Sequence, residues 1–211
     1  MFRSIGTVIN NLINLFGYFF RIDLLNDKLS VSAHVIRLMR LNKKIHKSVI
    51  GFNIGKNYRL INPQFMSFGN NFFALERLRI EALDKYGDQI FTPKIEIGDN
   101  VVFNSDVHIG CINYIYIGNN VLGASRIYIT DHHHGDTTEA MFKIAPRDRP
   151  LISKGPVIIK DNVWIGEGAA IMPGVTIGEN CIIATNSVVT KDMPANSVVA
   201  GVPARVIKTV R

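Results

Sequence analysis

The sequence predicts an all-β protein, a parallel β-helix assembled from six-residue repeats, and three observations carry that expectation. Between Val157 and Val189 an aliphatic residue stands at every sixth position: Ile159, Ile165, Ile171, Ile177, Ile183 and Val189. Each is followed within two or three residues by Gly, Asp, Asn or another small or polar residue, as a turn requires. A weaker copy of the beat runs from residue 48 to Ile129. A helix repeats every 3.6 residues and a strand every two, so neither produces a six-residue period. A short strand plus a turn does, with three such units closing one coil and the sixth-position aliphatics stacked inside.

Taken in order, the chain begins with residues 1–47, a helical and basic segment preceding the repeat. No charge occurs from Ser4 to Phe20, and apolar residues fall at close to helical spacing, interrupted by Asn10, Asn11 and Asn14. That is a poor transmembrane span, and no small-residue cleavage site marks a secretory signal. Two readings stand: a helix packed on the protein or its oligomer, or an interfacial membrane helix backed by the basic run 37–47. Residues 48–211 form the solenoid domain. Ile54 and Leu60 begin a partial coil, and Phe68, Ala74 and Ile80 make the next. Ala82–Lys94 breaks the period and reads as a loop. Ile97, Phe103 and Ile109 follow, then a short excursion over Cys111–Tyr114, then Ile117, Gly123 and Ile129. Counting three positions per coil gives about six coils and a prism about 25–30 Å tall. After Lys191 the chain turns at Pro194 and ends in a short tail, AGVPARVIKTVR, too irregular for another full coil.

Composition narrows the class. The chain is 47% hydrophobic and 19% charged, so it buries a core. Its two cysteines, Cys111 and Cys181, give neither a disulfide framework nor a metal cluster, and a reducing, cytoplasmic setting fits. The net charge of +7 suits nucleic acid, anionic lipid or a phosphorylated small ligand. Stacking aromatics and a recognition helix are not apparent, so no nucleic-acid partner is expected.

The longest interruption of the beat, residues 130–156, carries His132, His133 and His134 together with Arg147, Arg149 and Lys154. Long loops on a rigid solenoid are where function concentrates. Four stretches then stand in a fixed order: TDHHHG at 130–135, GPVIIKDNVWIG at 155–166, SVVTKDMP at 187–194 and AGVPARVIK at 200–208. In these the chain, from about residue 50 to 211, resembles the left-handed parallel β-helix acyltransferases. The branch it resembles contains maltose and galactoside O-acetyltransferases and the O-acetyltransferases of surface polysaccharides. The resemblance implies acetyl-CoA as cosubstrate, no metal, a homotrimer with sites between subunits, and transfer to a hydroxyl of a saccharide in capsule or lipopolysaccharide synthesis.

Direct acyl transfer needs a base for the hydroxyl, donors for the oxyanion and an aligned acceptor. Histidine is the natural base, which points to the triplet. Two counting rules from the related sugar acetyltransferases disagree. Five residues past the last stacked aliphatic, Ile129, is His134, the preferred candidate; the residue after the Thr-Asp step is His132. Asp131 is expected to orient whichever ring is used. Asn104 matches an acceptor-binding asparagine of the resembling family, against a reading as a turn residue. Trp164, next to an interior valine, should point outward and line the acceptor and thioester cleft between subunits, or pack on a neighbouring subunit. The resemblance assigns coenzyme A to the last coils. Gly166, Gly168 and Ala169 keep that wall flat for backbone bonds to the pantetheine arm, Thr185 stands near its path, and Thr190, Lys191, Arg205 and Lys208 meet the phosphates and adenosine. Two alternatives remain: N-acetyl transfer to an amino sugar, and a metalloenzyme like the γ-class carbonic anhydrases with zinc on His108 and the triplet.

Overall fold

Interior aliphatics decide the architecture. In the computed structural model, which describes residues 50–210 together with Ile45, strands of two to six residues wind into three sheets of eight, six and five strands. They are the three walls of a left-handed parallel β-helix. The first wall runs from Asn53–Ile54 through Phe73–Ala74, Val102–Phe103, Leu122–Gly123, Trp164–Ile165 and Ile182–Ile183 to Ser197–Gly201. The second contains Arg79–Ala82, His108–Cys111, Tyr128–Thr130, Ala170–Ile171 and Val188–Val189, and the third Lys94–Ile97, Tyr114–Ile117, Val157–Ile159 and Thr176–Ile177. The expected N-terminal helical and basic segment, residues 1–47, lies outside the described residues apart from Ile45.

Register places the sixth-position residues directly above one another. Ile80, Ile109, Ile129, Ile171 and Val189 form one interior row, and Ile97, Ile117, Ile159 and Ile177 another. All are buried, and each such side chain contributes about 1.5–3 kcal/mol. At one place in the stack a large residue meets a small one. Gly123 lies beside Phe103 in the first wall, and a methyl group at Gly123 would clash with the Phe103 ring. Both cysteines are buried and unpaired.

The three corners are not alike. Between the third and first walls, Asn71, Asn100, Asn120, Asn162, Asn180 and Asn196 each adopt a φ of +55 to +58°, a left-handed conformation asparagine tolerates. Their side chains form a ladder in which each amide donates to the next carbonyl, over 2.8–3.1 Å. At the corner between the second and third walls the regular turn is replaced by excursions. Ala82–Lys94, expected as a loop, contains a small hairpin of Lys85–Tyr86 and Gln89–Ile90. Cys111–Tyr114 widens the next coil. Residues 131–156 leave the coil above, pairing His132–His134 antiparallel with Leu151–Ser153 around a short helix, Glu139–Phe142. The C-terminal tail, expected to be irregular, folds back as an antiparallel strand, Ala204–Thr209, on the edge of the first wall. No helix among the described residues is long and apolar enough to cross a membrane.

Candidate active site

The corner where the second wall passes into the third gathers the polar chemistry. The strand Tyr128–Thr130 turns Ile129 inward, and the next residue, Asp131, is completely buried. A buried carboxylate must be satisfied. Here the donors come from the excursion one coil below: the Ile112 N–H lies 2.9 Å from Oδ1, the Asn113 N–H 2.8 Å from Oδ2, and the Cys111 thiol 3.3 Å from Oδ2. Burial and the adjacent Asp131 push the Cys111 thiol far above its ordinary range, so it is no nucleophile.

His132 completes the arrangement. Its Nδ1 lies 3.0 Å from Asp131 Oδ1, and its side chain is 11% exposed. In the neutral tautomer whose Nδ1–H donates to the carboxylate, the Nε2 lone pair faces the other way, as a base requires. Gly110 makes room for the ring: a methyl group there would come within 3.3 Å of His132 Cε1. The other two histidines lack this support. His134, preferred from counting, is exposed, and its Nδ1 is 3.3 Å from the Tyr86 hydroxyl rather than a carboxylate. His133 is half-buried, and burial, aided by Lys154 and His132, pushes its pKa down.

Below Asp131 and His132 lies a second imidazole–carboxylate pair. His108 Nε2 is 3.3 Å from Glu81 Oε2, and the Arg79 guanidinium is 2.7 Å from the same oxygen. Glu81 is 7% exposed; burial alone would raise its pKa, yet Arg79 and His108 hold the carboxyl below the usual range. Burial, with Arg79, pushes the His108 pKa down against the pull of Glu81, so the ring is neutral near pH 7. The sequence reading missed Arg79 and Glu81, although the beat held the signal: both flank Ile80, and residues flanking a stacked aliphatic face outward. No group of three or more His, Cys, Asp or Glu among the described residues is placed to hold a metal ion. His108 is turned to Glu81 and His132 to Asp131.

The remaining candidates lie elsewhere. Trp164 points outward, 51% exposed, on the first wall, opposite the corner that carries His132. Asn104 is exposed on the corner between the first and second walls, and its side chain makes no hydrogen bond among the described residues. One chain therefore does not bring His132 and Trp164 together. The backbone N–H groups expected near pantetheine already have partners in the chain. Gly166 N–H donates to the Ile183 carbonyl, Gly168 N–H to Ser125 and Ala169 N–H to Gly166, so the first two bond to adjacent coils and the third within its own, and the Ala169 methyl faces the core. Thr185 is exposed, its N–H packed close to Gly166. Thr190, Lys191, Arg205 and Lys208 are exposed toward the C-terminal end of the prism.

Comparison with known proteins follows this geometry. The profile described as bacterial transferase hexapeptide (six repeats) matches residues 156–191. Over 150 residues the chain is 37% identical to WbbJ of Escherichia coli (strain K12), whose name assigns it provisionally to O-acetyl transfer in lipopolysaccharide biosynthesis; the match covers 70% of this chain and 73% of WbbJ. It is 34% identical to the galactoside O-acetyltransferase of the same organism, over 74% of this chain and 70% of that protein. Among solved structures, a maltose O-acetyltransferase from Clostridium difficile 630 superposes with a TM-score of 0.51 at 33% identity, covering 81% of this chain and 73% of that one.

Proposed function

The chain belongs to the hexapeptide-repeat acyltransferases, and on that premise we propose that His132, oriented by Asp131, is the base of an acetyl transfer to a sugar hydroxyl in surface-polysaccharide synthesis. The observation that carries the assignment is the 3.0 Å contact between His132 Nδ1 and a carboxylate buried completely and anchored by two backbone N–H groups. Acetyl-CoA supplies the acetyl group as a thioester. His132 Nε2 takes the proton of the acceptor hydroxyl as its oxygen bonds to the acetyl carbon. Asp131 stabilises the imidazolium so formed. That proton then passes to the sulfur as the carbon–sulfur bond breaks, leaving acetylated sugar and free thiol. The WbbJ and galactoside relatives support a saccharide acceptor.

The site is shared in this reading. Trp164 lies on the wall opposite His132, in register with the exposed Leu122, and Phe73 is exposed two coils further along the same wall. Such an apolar row is costly in water and fits burial against a second copy. We assign it to a homotrimer in which Trp164 of one chain covers His132 of the next, giving three sites. Lys191, Arg205 and Lys208, with Thr190, suit the phosphates of coenzyme A as exposed donors near one end of the prism. The reaction is placed in the cytoplasm, with residues 1–47 as the segment for peripheral contact with the membrane.

The test is release of free thiol from acetyl-CoA across a panel of sugars. His132→Ala is expected to lose on the order of 10³-fold in kcat while still binding acetyl-CoA, and His134→Ala to stay within about tenfold of the unaltered protein. The opposite ranking would move the base to His134. Absence of acetyl-CoA binding would refute the transferase reading.

A further inference from the structure

Beside the His132 site is a cavity that the coil itself does not need. It has a volume of about 480 Å³, within the range typical of small-molecule sites, and lies between the Lys85–Ile90 hairpin and residues 147–150. Its walls include Tyr86, Asp88, Gln89, Arg147, Asp148 and Arg149.

The two excursions that enclose it are tied to each other. The Tyr86 hydroxyl donates to the Arg147 carbonyl, and its ring meets His134 edge-on at 5.3 Å. Gln89 makes two bonds to Leu151, donating to its carbonyl at 3.2 Å and accepting from its N–H at 2.7 Å. Arg149 donates to the Ile144 carbonyl at 3.0 Å and stands over the Phe142 ring. The cavity is therefore preformed, which lowers the ordering cost of binding.

Its position relative to the base follows from register. His132 pairs with Ser153 and His134 with Leu151, and Leu151 is the residue Gln89 holds. The cavity thus begins two strand residues, about 7 Å, beyond His132. That is about the length of one sugar ring. Its lining combines two arginines, two aspartates, a glutamine and a tyrosine, so its formal charge cancels. Carboxylates accept from hydroxyls while guanidinium and amide groups donate to them, and a tyrosine ring offers an apolar face. Such a set suits a neutral, hydroxyl-rich ring better than a phosphate.

We propose that this cavity is a second sugar subsite, holding the unit adjacent to the one acetylated, so that the acceptor is an oligosaccharide of at least two units. The proposal rests on the saccharide O-acetyltransferase reading. Two measurements test it, with glucose, maltose, galactose and lactose as probes. In thiol release, maltose or lactose should exceed its monosaccharide in kcat/KM by about tenfold or more, a difference carried by KM. Asp88→Asn and Arg147→Ala should bring that ratio to about one. In ligand-detected NMR, a disaccharide should bind the unaltered protein and lose at least about tenfold in affinity in both variants.

Equal kcat/KM for mono- and disaccharide, or a disaccharide preference that both variants leave intact, would overturn the proposal. So would failure of both disaccharides to bind. Disaccharide binding that the variants abolish, without thiol release from any sugar, would uphold the cavity as a sugar site and reject the acetyl-transfer reading.

Discussion

The corner between the third and first walls and the corner between the second and third are turned by the same six-residue beat, yet they have opposite designs. At the first, six asparagines repeat one left-handed turn, and each side chain bonds to its copy in the next coil. Each ladder bond joins like neighbours, so the same support repeats from coil to coil. At the second, successive coils insert segments of different length, and the bonds run between unlike residues. Asp131 is held by Ile112 and Asn113, and Tyr86 and Gln89 reach residues of the 131–156 excursion. A repeat that spends one corner on uniform support frees another for a site, because each coil needs only part of its perimeter to keep register.

Substitutions on the two corners should therefore separate activity from stability. The largest effect is expected for Asp131→Asn. An amide there would aim N–H donors at the Ile112 and Asn113 N–H groups and lose the charge that sets the His132 tautomer. A fall in kcat on the order of 10³-fold is expected, with a stability loss of about 2–3 kcal/mol. Steady-state kinetics beside thermal melts, with acetyl-CoA binding as the check on folding, measure both; wild-type kcat in this variant would rule out Asp131 as the orienting group.

On the ladder corner the order reverses. Asn162→Ala forces alanine into a left-handed turn and removes two ladder bonds, which together cost about 2–4 kcal/mol and lower Tm by roughly 5–12 °C, with turnover retained. Asn162→Gly keeps the turn geometry and should lose about half as much. If the two variants melt alike, the left-handed φ is not what the asparagine is there to supply.

The smallest effect concerns Glu81. Its pKa is lowered in the folded chain, so its ionised form is the one folding favours, and the stability it contributes is present above about pH 4.3 and lost as pH falls through the lower folded value. Between pH 6 and 3 the Tm of Glu81→Gln should decline less steeply than that of the unaltered protein. Parallel curves would mean that Arg79 and His108 do not hold the carboxylate in solution.

Much of this was legible along the chain. The outward Trp164 and the buried Cys181 follow from place in the repeat alone. The choice among the histidines does not. Counting from Ile129 carries the coil's phase into a segment that has left the coil, and it arrives at His134, which the structure turns toward Tyr86. Thr-Asp-His pointed to His132, but Asp131, the carboxylate beside that ring, is itself held by residues 18 and 19 positions before it. The partners of the Gly166 and Gly168 N–H groups, carbonyls of adjacent coils, were not legible in the sequence.

By itself, then, the sequence determined the solenoid, its three walls and the segment that leaves the coil with the proposed base, because a periodic apolar pattern has few ways to be buried and a long break in it must lie outside the coil. Only the tertiary structure decided which imidazole meets a buried carboxylate, that Arg79 and Glu81 stand two coils below it, and that two excursions bonded across 61 and 62 residues of sequence close around a common cavity. Those contacts join segments of different coils, and their geometry depends on how far each excursion strays from the beat, which no period records.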